Sequence, residues 1–139
     1  VDTDFDVNVL AGSGGVTRGA IGGHPDTAEG ASLSVVVAPL TRGRIPTIVK
    51  HVNTVVTPGD VVDVVVTDQG IAVNPRRPDV KEKLEKAGLH VFTIEQLQKR
   101  AEKLVGVPDP IRYKDRIVGV VMYRDNTIID VIRQIDEDA

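Results

Sequence analysis

Cysteine is absent from this chain, and so is tryptophan. The first absence excludes disulfides, thiolate nucleophiles and thiolate metal sites. It leaves His24, His51 and His90 as the only soft nitrogen ligands, far apart and without ligand spacing, so no metal site is expected. With two Phe and two Tyr, few aromatic faces are available for stacking bases or flat cofactors. Positive charge is short as well: 17 Lys and Arg against 20 Asp and Glu give a net charge of −3, which supplies no general field for nucleic acid or acidic lipid. No apolar run approaches the roughly 18 to 20 residues of a membrane helix, and the first residues lack the basic-then-apolar layout of a secretory signal. These absences lead to the expectation of a soluble, cytoplasmic protein that binds neither nucleic acid nor membrane.

What is plentiful is valine, isoleucine and glycine. A length of 139 residues, 41% of them hydrophobic, fits one domain over 1–139 with an aliphatic, sheet-rich core. The chain opens at Val1 almost directly into a strand-like FDVNVL, Phe5 to Leu10, as a piece of a longer protein would. A buried strand is expected from about Leu33 to Ala38. RIPTIVKHVNTVV reads as two short β-rich pieces split near Lys50 and His51, and TPGD, Thr57 to Asp60, as a turn. VVDVVVTD is the most apolar strand, suited to the centre of a sheet with both faces covered.

Two helices follow. PDVKEKLEKAGL has Pro78 at its start, Val80 and Leu84 four apart on one face, and Gly88 as a stop, while KEKLEK forms an exposed face with i,i+4 ion pairs. The second begins at Thr93, with Gln96 three later completing a capping box, after a short strand in HVF. RIVGVVMYR and TIIDVIRQI then flank Asp125-Asn126 as a hairpin with a two-residue connection, before an acidic tail. The expected class is α/β: an open mixed sheet with flanking helices and a C-terminal hairpin.

The stretch GVTRGAIGGHPDTAEGA, residues 15–31, carries the chemistry. It is not a Walker-type phosphate loop, since no Gly-Lys-Ser/Thr follows and no helix pattern begins at its end, and it does not open a long helix as a dinucleotide fingerprint does. A turn-rich loop and a functional loop both fit the spacing. Function is favoured where Gly22-Gly23-His24 brings free amides and a titratable ring beside Asp26 and Thr27. His51 and His90 read as structural or solvated. Asp68, at the C-terminal end of the valine-rich strand, fits a ligand position and a turn equally. Arg42, Arg44, Arg76, Arg77 and Arg112 read as solvated single charges.

These blocks carry a resemblance. FDVNVL, RGAIGGHPDTAEGASLSVVVAPLTRGRIPTIV and VVDVVVTDQGIAVNPRRPDV, through the closing YRDNTIIDVIRQI, closely resemble the C-terminal part of the citrate lyase alpha chain family, the citrate CoA-transferase subunit of bacterial citrate lyase. GAIGGHPDTA and VTDQGIAVNP are its most specific parts, and Pro25 stands where many relatives are expected to have cysteine. A wider similarity joins Gly-Ala-Ile-Gly-Gly-His-Pro-Asp and Val66-Thr67-Asp68 to the CoA-transferase superfamily. The resemblance implies the later portion of the second half of that fold. It implies exchange of acetate for citrate on the thioester of an acyl-carrier protein or CoA, giving citryl thioester, without a covalent enzyme intermediate.

By the same resemblance, the backbone amides of Gly22 and Gly23 would face the developing oxyanion, His24 would join them, and Gly19, Asp26 and Thr27 would contact substrate. No cofactor is expected on the chain itself; acetyl-CoA or a phosphopantetheine-type carrier thioester enters as substrate. The implied partners are the N-terminal part of the same subunit, the lyase (beta) and acyl-carrier (gamma) subunits, and citrate, and the isolated chain is expected to be inactive. The rival reading is a non-catalytic α/β module that docks carrier protein or neighbouring subunits.

Overall fold

The computed structural model describes residues 1–136, so most of the acidic tail lies outside the described residues. In chain order the elements are α1 (His24–Gly30), β1 (Val35–Val37), β2 (Thr41–Arg42), β3 (Ile45–Pro46), a 3-10 turn (Gly59–Val61), β4 (Val64–Thr67), β5 (Gly70–Val73), α2 (Pro78–Lys86), β6 (Val91–Phe92), α3 (Ile94–Val105), β7 (Tyr113–Met122) and β8 (Ile128–Ile135). Four of the strands make a mixed sheet in the order β1-β4-β5-β6, parallel at both ends and antiparallel between β4 and β5. No helix among the described residues is long and apolar enough to cross a membrane.

The valine run is the centre of that sheet because its alternate side chains have two different cores to enter. On one face Val65 and Ala72 join Phe5, Leu40 and Ile48 against Leu97 and Ala101 of α3, while on the other Val64 and Val73 pack against Val80 and Leu84 of α2. The helix signals are realised in full. Pro78 opens α2, whose Lys81–Glu85 and Glu82–Lys86 pairs lie on its exposed face. Thr93 and Gln96 form a reciprocal capping box on α3.

Four expectations need correction. FDVNVL is not a strand: only Val7 bridges Thr57. The buried Asp2 carboxylate takes the N–H groups of Asp4, Asp6 and Val52, and the Asn8 side chain takes those of Leu10 and Ala11. Amides held by side chains are lost to a ladder, and Phe5 turns to φ 67° between them. The strand expected over Leu33 to Ala38 shortens to β1 and forms an edge of the sheet, leaving Val35 and Val37 exposed. Of RIPTIVKHVNTVV only Ile45–Pro46 is a strand, paired back on β2.

The closing hairpin turns through three residues, not two. Asn126 N–H donates to Tyr123 O, Tyr123 N–H donates to Thr127 O, and Asn126 takes φ 67°, a tight turn followed by a left-handed residue. This hairpin packs Val121 and Ile132 on Leu10 and Val56, and Asp130 accepts the Val55 N–H at 2.7 Å.

Candidate functional site

The glycine-rich stretch ends in a helix, contrary to the expectation from its pattern. HPDTAEG is too short to show an apolar repeat, yet Pro25 fits the first turn, where it removes no helical hydrogen bond, and Asp26 adds the negative charge that turn favours. Only Pro25 and Ala28 are buried, which anchors α1 by one side. The Walker-type reading stays excluded because no Gly-Lys-Ser/Thr follows.

Immediately before α1, Gly22 adopts φ 58°, a conformation that glycine reaches without strain, and Gly23 sits at φ −89° as the residue capping the helix. A Cβ at either position would meet nothing within 4 Å. Among the described residues, the amides of Gly22 and Gly23 donate to no group, whereas the Gly23 carbonyl accepts from Thr27. Two free N–H groups therefore stand side by side on an exposed bend.

His24 is half-buried, with Nδ1 2.7 Å from Oγ1 of Thr57, and the loss of water around the ring holds its pKa below the ordinary value. It is neutral at pH 7. Thr57 is fully buried, its backbone N–H and C=O both bonded to Val7. Thr27 turns its hydroxyl inward, donating to the Gly23 and His24 carbonyls, so it stiffens α1. Asp26 is exposed and faces Arg124 at 3.6 Å. Gly19 is exposed, its N–H donating to Leu10 O, and a Cβ there would lie 3.2 Å from the Val9 carbonyl. The structure thus gathers Gly22, Gly23, His24, Asp26 and Thr27 into one turn and leaves Gly19 on the approach to it.

Neither of two open clefts of about 400 Å³, one beside Lys114 and Ile132 and one between Ser13 and Pro108, is lined by this turn. Sequence reasoning did not anticipate Thr57, which meets His24, or Tyr123 and Arg124 at the tip of the hairpin, which meet Glu29 and Asp26 of α1. All three reach α1 through long-range contacts that no local pattern encodes. Asp68, left between two readings, accepts the Leu40 N–H at 2.7 Å and so ties β4 to the segment after β1. Arg77 is no solvated charge: it pairs with Asp63 at 2.9 Å, and Asp63 also accepts the Ser34 N–H.

A mixed α/β sheet followed by a hairpin, with a glycine bend feeding a short helix, is an arrangement shared with known proteins. The family described as citrate lyase, alpha subunit (CitF), matches residues 1–135, and the chain belongs to that family. It is 58% identical over 137 residues to the citrate lyase alpha chain of Escherichia coli K12, covering 99% of this chain and 27% of that protein. It is 60% identical over 135 residues to that of Klebsiella pneumoniae, covering 97% and 27%. A crystal structure of the citrate lyase alfa subunit from Streptococcus mutans in complex with citrate superimposes with a TM-score of 0.95 at 55% identity, over 99% of this chain and 27% of that one. The chain thus spans about a quarter of the length of these relatives.

Proposed function

We propose that this chain is the part of a citrate lyase alpha subunit that supplies oxyanion donors for acyl exchange. In that reaction citrate displaces acetate from the thioester of an acyl-carrier protein or CoA, giving citryl thioester. The single observation that carries the reading is the pair of free amides at Gly22 and Gly23, beside a neutral His24 and open to an incoming group. Exchange at a thioester places negative charge on the carbonyl oxygen, and preorganised N–H donors aimed at that oxygen lower the barrier. Kinship with alpha chains, one of them solved with citrate, supports the choice of substrate.

Under this reading 1–139 is the later portion of the second half of a CoA-transferase-like fold. The remainder of the subunit completes the site, the lyase and acyl-carrier subunits are its neighbours, and the setting is the cytoplasm. The thioester is substrate, and no cofactor is held by the chain. The test grafts residues 1–139 into a full-length alpha chain in place of the matching piece and follows citrate-dependent acyl exchange. Exchange is expected for the graft and absent for 1–139 alone.

A second reading, a docking module without chemistry, draws on the exposed Ile117, Val118, Val120, Met122 and Ile128 of the hairpin. It requires the exchange to be indifferent to the glycine bend.

A further inference from the structure

The contact between His24 and Thr57 decides which nitrogen of the imidazole carries the proton. Thr57 is 0% exposed, and among the described residues the one partner of its hydroxyl is Nδ1 of His24, at 2.7 Å. A hydroxyl has one hydrogen to place, and in a neutral ring one nitrogen donates while the other accepts. If Nδ1 carried the ring proton, it would donate to Oγ1 and leave the Thr57 hydrogen buried without an acceptor. If Nε2 carries it, the hydroxyl donates to the Nδ1 lone pair and every group is satisfied. The cost of an unmet buried donor favours the second arrangement by roughly 5- to 150-fold.

Among the described residues the Thr57 hydroxyl makes no other hydrogen bond. Its carbonyl accepts from Val7, its N–H donates to Val7, and no buried side-chain oxygen or nitrogen among the described residues lacks a partner. Nε2, on the opposite side of the ring, has no partner among the described residues. Burial, which keeps the ring neutral, preserves the distinction between the two nitrogens.

We infer that Thr57 is a positioning residue that fixes His24 as the Nε2–H tautomer, so that the ring acts on the substrate as a hydrogen-bond donor and not as a general base. The inference rests on the proposed exchange reaction only for the identity of the acceptor, an oxygen of the thioester or of a citrate carboxylate. In a neutral ring whose Nδ1 lone pair is occupied, no basic nitrogen is left to take a proton. His24 would then extend the row of donors begun by the Gly22 and Gly23 amides.

The test is 15N-edited NMR of the 139-residue chain labelled at histidine, at a pH well above 6.5, the ordinary histidine value. The expected result is a pyrrole-type Nε2 and an unprotonated, hydrogen-bonded Nδ1 for His24. Thr57→Ser should keep this signature and Thr57→Val should lose it, even where both fold. A protonated Nδ1 in the unmodified chain overturns the inference whether or not the subunit exchanges acyl groups. In the full-length graft, His24→Gln, which keeps an amide donor near the Nε2 position, should retain at least tenfold more exchange than His24→Ala. Equal loss in both variants would contradict a donor role, and a graft inactive before any substitution would count against the exchange reading while leaving the tautomer standing.

Discussion

Tyr123 and Glu29 lie 94 residues apart in sequence and 2.7 Å apart in space, the phenol donating to the carboxylate. With Arg124 facing Asp26, this joins the tip of the closing hairpin to the outer side of α1, the helix that follows the glycine bend. Loss of water around the ring, and then the hydrogen bond to Glu29, push the Tyr123 hydroxyl up to about 12. A raised value means that the folded state favours the protonated phenol. The contact is therefore intact below the ordinary value of 10.0 and is lost as pH rises through about 12. Alkaline spectrophotometric titration should show this late tyrosine, and Glu29→Gln should bring it back toward 10.0. An unchanged titration in the variant would mean that the hairpin tip does not hold α1.

His24 gives a pH dependence of the opposite kind. Its pKa is lowered by burial, so protonation favours the unfolded chain: its contribution to stability is complete above 6.5 and falls away as pH drops below that value. Denaturation midpoints measured from pH 8 downward should fall in that window. The decline should be shallower in His24→Gln, and parallel curves for the two proteins would contradict the lowered value.

Asp63 and Asp60 both pair with arginine, yet they should respond differently to removal. Asp63 is buried and holds both the Ser34 amide and Arg77, whereas Asp60 and Arg76 meet in solvent. Asp63→Ala leaves a buried N–H unmet and should cost about 2 kcal/mol in urea unfolding. Asp60→Ala should leave the midpoint nearly unchanged. Equal effects would place the two pairs in the same environment.

Much of this fold was legible because its signals are local. The valine run, Pro78 and Gly88 around α2 and the Thr93–Gln96 box each act within a few residues, and each forms as its pattern dictates; α1, too short to show a repeat, did not. Phe5 to Leu10 failed for the converse reason. Its alternation is that of a strand, but Asp2 and Asn8 capture the backbone donors, and a strand pattern does not register side chains that bind amides. β1 misled in burial because apolar composition does not tell an edge strand from a central one. In the candidate turn, Gly22, Gly23 and His24 stand together in a short motif, while Thr57 lies 33 residues from His24 and belongs to a segment whose own signal is only a turn.

The central claim is tested most directly at Gly23. Its φ of −89° suits any residue, and a Cβ there meets nothing within 4 Å of this chain, so Gly23→Ala should fold with an unchanged melting temperature. The added methyl would occupy the space in which an acyl group must approach the two amides. In the full-length graft, citrate-dependent exchange should therefore fall on the order of 100-fold for Gly23→Ala. Gly14→Ala, equally open and away from the bend, should leave the rate intact. A folded Gly23→Ala protein that exchanges at the unmodified rate would contradict the account and return the glycine bend to a simple turn.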